Sequence, residues 1–203
     1  MSEYSGQQKQ AVLAALESAA AILIPLDLGP ASREALENWQ ATDPETKVQA
    51  ANTFLPFTEI LQMKAVLDDG DARRVYGDLC RSGALSGEKT PYMKDVEREC
   101  DAYLVAEYAD LAAGQQNVAP LAFGTRFSDA AGSRTDIGTQ VETLVAKAAQ
   151  GDRQSVRDAF LTSIGTDQQE AVKGVLYHIT ALDQDTRNLE AANGYSPRSF
   201  QPC

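Results

Sequence analysis

An all-α fold is predicted by three features of the sequence: apolar residues recur at helical spacing from end to end, helix start and stop residues fall between the repeats, and no stretch alternates with the period of a strand. The expected architecture is an irregular or globin-sized bundle of about seven or eight helices, with a long internal loop and an extended C-terminal arm. Residues 1–192 form the expected helical domain, with a sub-boundary in the 115–135 segment, and 193–203 an extended or disordered tail.

The first helix is read from Val12, Leu13, Leu16, Ala19, Ala20 and Leu23, spaced by three and four from about Gly6 to Leu23 and ended by Pro25, Gly29 and Pro30. Ser32 is the expected N-cap of a short second helix with Leu36 and Trp39 inward. Thr42 to Glu45 reads as a capping box with Pro44 in the first turn. The helix it starts carries Val48, Ala51, Leu55, Ile60, Leu61 and Leu67, kinked or broken at Pro56. A turn at Asp68 to Asp71 follows, Asp71 capping a helix with Val75, Tyr76 and Leu79 inward until Gly83 stops it.

Thr90 and Pro91 start the clearest pattern, in which Tyr92, Val96, Cys100, Tyr103, Leu104, Tyr108 and Leu111 form one stripe, opposite a charged face, before Gly114. The 115–135 segment holds Pro120, Phe123 and Phe127 and is long for a connection in a compact domain; such segments tend to carry function. Three further helices are marked by Ile137, Val141, Leu144, Val145 and Ala148, then Val156 and Phe160, then Val172, Val175, Leu176, Ile179, Leu182 and Leu189. Gly151 with Asp152 separates the first two, and Gly165 with a Thr166–Gln169 capping box opens the last.

Composition narrows the chemistry. The chain has 203 residues, a formal charge of −11, one histidine (His178) and three cysteines. No apolar run reaches the roughly 18 residues of a membrane span, and the N-terminus lacks a basic and apolar leader, so an intracellular protein, in cytoplasm or organelle interior, is expected. Cysteines separated by 20 and 103 residues suggest no disulfide framework and no zinc site. The acidic balance argues against nucleic acid and for basic protein partners. Arg73, Arg74, Arg81, Lys89, Lys94 and Arg98 are dense in one third of the chain and are expected to be balanced by neighbouring carboxylates on a solvated surface.

No phosphate loop, nucleophile elbow, dinucleotide fingerprint or zinc-protease motif is present. Asp68, Asp69 and Asp71 fail the spacing of a calcium loop and read as a turn. His178, beside Val175, Leu176 and Ile179, reads as a core-edge or surface residue rather than a haem ligand. The resulting expectation is a non-enzymatic interaction or scaffold subunit of a larger assembly, with Phe123 and Phe127 of the internal segment and Tyr195, Arg198 and Phe200 of the arm as partner contacts. An enzyme working through carboxylates is the third reading, disfavoured by the missing motifs.

The second reading is a ligand- or pigment-binding protein, with Cys100 or Cys80 as attachment point and Tyr92, Tyr103 and Tyr108 as pocket walls. Residues Cys100 to Gly114, with Tyr103 and Leu104 after the cysteine and Ala113 and Gly114 at the end, resemble the bilin-bearing helix of phycobiliproteins. The stretch Phe160 to Val172 is similar to that family's later region. The resemblance implies a chromophore on Cys100 and a light-harvesting role. The sequence departs from that pattern at Ala102 and Tyr103, where the family has the Arg and Asp that hold the pigment.

Overall fold

The computed structural model describes residues 5–67, 70–85, 93–118 and 135–180, with the backbone alone at 115–118 and 135. Among these residues there are nine α-helices, one 3-10 segment and no strand. They are α1 (Gly6–Leu23), α2 (Pro30–Gln40), α3 (Pro44–Gln49), the 3-10 segment (Ala51–Phe57), α4 (Thr58–Val66), α5 (Gly70–Ser82), α6 (Lys94–Val118), α7 (Thr135–Ala149), α8 (Arg153–Ser163) and α9 (Thr166–Ile179). The fold is therefore all-α, as its periodicity predicts. Contacts divide the chain into two compact units, Met1–Cys100 with Gly194–Cys203, and Asp101–Asn193.

In the first unit, α1 opens with a reciprocal capping box: the Gln8 amide N–H donates to Ser5 Oγ, and the Ser5 amide N–H donates to Gln8 Oε1 at 2.8 Å. Its buried face, Val12, Leu16, Ala19, Ala20 and Leu23, is the one the spacing predicts, with Ala15 added and Leu13 only half-buried. The start of α2 differs from expectation. Gly29, not Ser32, is the N-cap residue and provides no side chain, while Pro30 begins the helix and Ser32 is fully buried inside it. The missing cap comes from α6, where Glu99 accepts from the amides of Ala31 and Ser32 at 3.0 and 2.7 Å and from Ser32 Oγ at 2.7 Å.

α3 is capped by Asp43, which accepts from the Glu45 and Thr46 amides, rather than by Thr42. Of the kink or break expected at Pro56 the break is found: the chain tightens into a 3-10 segment containing Pro56 and restarts as α4. Proline has no N–H to donate, and its ring collides with the carbonyl four residues back, so an α-helix cannot run through it. The tightened segment turns the fully buried Phe54 towards Trp39, and the equally buried Phe57 meets Phe54 at 6.3 Å. Trp39 meets Phe54 edge to face at 4.9 Å, and its indole N–H donates to the Lys47 carbonyl. Each such buried side chain contributes about 1.5–3 kcal/mol. α5 begins at Gly70 with Asp71 inside its first turn, and Gly83 (φ 68°) follows its last residue as expected.

The second unit is built on α6 from Asp101 onward. Ala102, Leu104, Val105, Ala106, Tyr108, Ala109, Ala112 and Ala113 are buried, which places burial around most of the helix rather than on one stripe. The expected charged face is confined to the early turns, where Lys94, Asp95 and Arg98 are exposed. α6 also passes Gly114 and ends at Val118. A single glycine costs a helix about 1 kcal/mol, too little to stop one that Gln115 and Gln116 can continue. Helical backbone thus covers both ends of the segment expected to be irregular, and residues 119–134 lie outside the described residues.

Ile137, Val141, Leu144, Val145 and Ala148 of α7, Val156 and Phe160 of α8, and Val172, Leu176 and Ile179 of α9 are buried as predicted. Asp152 caps α8 by accepting from the Ser155 amide at 2.9 Å. α9 has no capping box: Gly165 is its N-cap residue, and Gln169 turns inward. Its amide donates to the carbonyls of Phe160 and Ile164 at 3.1 and 3.2 Å, satisfying backbone groups left open where α8 ends.

Candidate functional site

The residues with possible chemistry are held mainly by α5, α6 and α9. On α6, Cys100 is a thiol only 2% exposed, Tyr108 is buried and Tyr103 is half-buried; Tyr92 lies outside the described residues. The Tyr108 ring stands edge-on to Tyr177 of α9 at 5.6 Å, so it is engaged in packing. Burial pushes the Tyr103 hydroxyl above its ordinary value, and the negative charge of Glu107 adds to that effect.

Glu107 and Asp110 share the guanidinium of Arg153, the first residue of α8. Burial opposes the charge of Arg153, and the two carboxylates outweigh it and hold the guanidinium more firmly protonated. A second tie joins Lys173 of α9 to Asp101 at 2.9 Å and to Glu170 at 3.0 Å. Lys173 is 9% exposed, and its charge is matched where it sits. Glu107, Asp110 and Asp101 thus fasten α6 to α8 and α9.

Cys80 differs from expectation. It is disulfide-bonded, although the irregular cysteine spacing suggested no disulfide framework. A sulfur in that bond is not available to carry a pigment. His178 lies exposed in the last turn of α9, where a positive charge would complement the helix dipole. Among the described residues no group of three or more His, Cys, Asp or Glu is placed to hold a metal ion. Phe123, Phe127, Tyr195, Arg198, Phe200 and Cys203 lie outside the described residues.

α1 and α5 enclose an open groove of about 500 Å³, floored by Ala11, Ala14, Ala15 and Ser18 and edged by Arg74, Asp78 and Arg81. Small residues three and four apart on α1 leave the space, a pattern readable in the sequence only once α5 is known to lie beside it. Asp78 sits between the two guanidiniums, 3.8 Å from Arg74 and 2.5 Å from Arg81, while Asp71 is 3.6 Å from Arg74. Of the basic residues dense in this third of the chain, Arg74 and Arg81 are balanced by neighbouring carboxylates as expected, Arg73 donates to the Ala65 carbonyl at 3.3 Å, and Lys89 lies outside the described residues. Among the described residues, neither Cys100 nor a tyrosine lines the groove.

Among the described residues no helix is long and apolar enough to cross a membrane. No protein-family model, no curated protein and no solved structure matches this chain.

Proposed function

We propose that this chain is a non-enzymatic helical interaction subunit whose protein partners present basic surfaces. The observation that carries the reading is the distribution of charge. Residues 1–100 hold sixteen acidic and ten basic side chains, and residues 101–193 hold thirteen and seven, so both stretches carry the same acidic excess. Several carboxylates are committed to fastening helices, as Glu99, Asp101, Glu107 and Asp110 are. Others, including Glu34, Glu37, Glu142 and Asp167, are exposed on helix surfaces. Such a field attracts basic partners over distances of a Debye length and repels polyanions.

The test is gentle cross-linking of the protein in its natural source, followed by mass spectrometry of the linked peptides. The expected result is a basic partner linked through the acidic helices, the 115–135 segment or the 193–203 arm, with association that weakens as salt is raised. A monomer at physiological ionic strength with no linked polypeptide overturns the proposal. The same preparation checks the bilin alternative, whose attachment point would be Cys100. A mass equal to the bare polypeptide and no absorption beyond that of Trp and Tyr removes covalent attachment.

A further inference from the structure

We propose that α5 is a self-association surface, on which a second copy of this chain lays its own α5 antiparallel, seated in the groove beside α1. The outer side of α5 carries Asp71, Arg74, Asp78 and Arg81, separated by three, four and three residues and therefore aligned in one stripe. Their signs alternate, and their order has a centre. Arg74 and Asp78 stand two residues either side of Tyr76, and Asp71 and Arg81 stand five residues either side. When two such helices run antiparallel about a two-fold axis level with Tyr76, every opposed pair joins opposite charges. Arg74 faces Asp78 of the second copy, Asp71 faces its Arg81, and the axis repeats both pairs. A two-fold interface demands this self-complementarity, because the same patch serves both sides. Parallel helices in register would instead set each charge against its own kind.

The groove gives the second helix a seat. Its α1 wall runs from Gln8 to Ser18, ten residue steps or roughly 15 Å of helix, the same rise that separates Asp71 from Arg81. The small side chains on that wall leave room for the arginine stems of the second copy to lie against apolar surface while their guanidiniums reach carboxylates. All four charged side chains of the stripe are at least 40% exposed, so they are open to a partner. The ion pairs within α5 do not exhaust them, since a guanidinium has five N–H donors and a carboxylate accepts at two oxygens. Exposed ion pairs are individually weak. The charges therefore set direction and register, the groove supplies contact area, and the association is reversible. It stands apart from the attraction of a basic partner, which draws on carboxylates of other helices.

The test is sedimentation velocity of the full chain over a concentration series. The charge of −11 on each copy opposes the contact at long range. At about 0.15 M ionic strength the Debye length is roughly 8 Å, which damps that repulsion and spares contact pairs, whereas at about 1 M it is roughly 3 Å and the pairs weaken too. A shift from 21.9 kDa towards twice that mass with rising concentration is expected at the lower salt, and a smaller shift at the higher. Arg74→Asp sets aspartate against Asp78 of the second copy, and Asp78→Arg sets arginine against its Arg74, so each variant alone should stay monomeric. Mixed together, the two variants should recover the dimer, because each opposed pair is again of opposite sign, and the double variant carrying both changes should recover it by itself. Recovery also shows that the single variants fold. A wild-type chain that stays at 21.9 kDa throughout, single variants that dimerise as the wild type does, or a mixture and a double variant that both remain monomeric would each overturn the proposal.

Discussion

Glu99 gives α2 the N-terminal cap that its own sequence lacks, and the geometry at Gly29 shows how closely the two are matched. Gly29 has φ 146°, and a Cβ there would lie 2.4 Å from the Glu99 carboxyl carbon, so glycine is required both by the backbone and by the approach of the carboxylate. Glu99→Ala leaves two amides and a buried hydroxyl without their acceptor. The expected cost is about 2 kcal/mol, read as a lower urea midpoint at unchanged slope, with Glu99→Gln losing less. An unchanged midpoint for the alanine variant would remove Glu99 from its capping role. The caps at Asp43 and Asp152 make a pH prediction. The Thr46 hydroxyl and amide hold the Asp43 carboxyl below its ordinary value, and the Ser155 hydroxyl and amide do the same for Asp152. Because both folded-state values lie below those of the unfolded chain, the caps contribute fully above pH about 4 and are lost as the pH falls through the folded values. Carboxyl titration by NMR should show both midpoints below those of an uncapped aspartate, with the α3 and α8 amides losing protection over the same range. Asp43 was legible as part of a helix start, but Glu99 was not. Its partners lie 67 and 68 residues away in the chain, and no local pattern marks a carboxylate that caps a different helix.

Where an element is set by local periodicity, the sequence alone was enough: α7 and α8 bury the residues their spacing selects, and α1 buries all of its own but Leu13, which is half-buried. Where a helix boundary depends on another part of the fold, it was misread. Ser32 and Thr166 have the chemistry of N-caps but lie inside their helices, because Glu99 supplies the cap in one case and Gln169 is drawn to the α8 carbonyls in the other. The candidate site was less legible than the fold. Cys100 and Tyr108 are both buried, yet whether Tyr108 borders a cavity or solid packing depends on α9, whose Tyr177 covers it. The tie between α6 and α9 allows a test at this scale. Asp101→Ala removes the carboxylate nearest Lys173 and leaves an ammonium in a 9% exposed position with Glu170. Asp101→Ala should cost about 3 kcal/mol, whereas the double variant with Lys173→Met, which removes the stranded charge, should recover most of that loss. Thermal denaturation of the four-member cycle decides it. A double variant as unstable as Asp101→Ala alone would show that the charge pair is not what matters at this contact.

Across the whole molecule the dominant electrostatic quantity is the charge of −11, which acts on the folded state by self-repulsion. Salt screens this repulsion and the internal ion pairs to different extents. At about 0.01 M ionic strength the Debye length is roughly 30 Å, so carboxylates on separate helices repel one another; at 0.15 M it is about 8 Å, and only near neighbours still interact. The fastening pairs operate at much shorter range and are partly shielded from water, as at Lys173 and Asp101, 2.9 Å apart, and lose far less to screening. Raising sodium chloride from 0.01 to 0.15 M should therefore increase the Tm by a few degrees at neutral pH, with little change on further addition. The effect should shrink as the pH approaches the isoelectric point of about 4.5, where the net charge that drives it disappears. Differential scanning calorimetry over a grid of salt and pH is the measurement. A Tm that falls with salt at neutral pH would mean that attractive pairs outweigh the acidic excess, and it would remove the long-range field on which attraction of a basic partner depends.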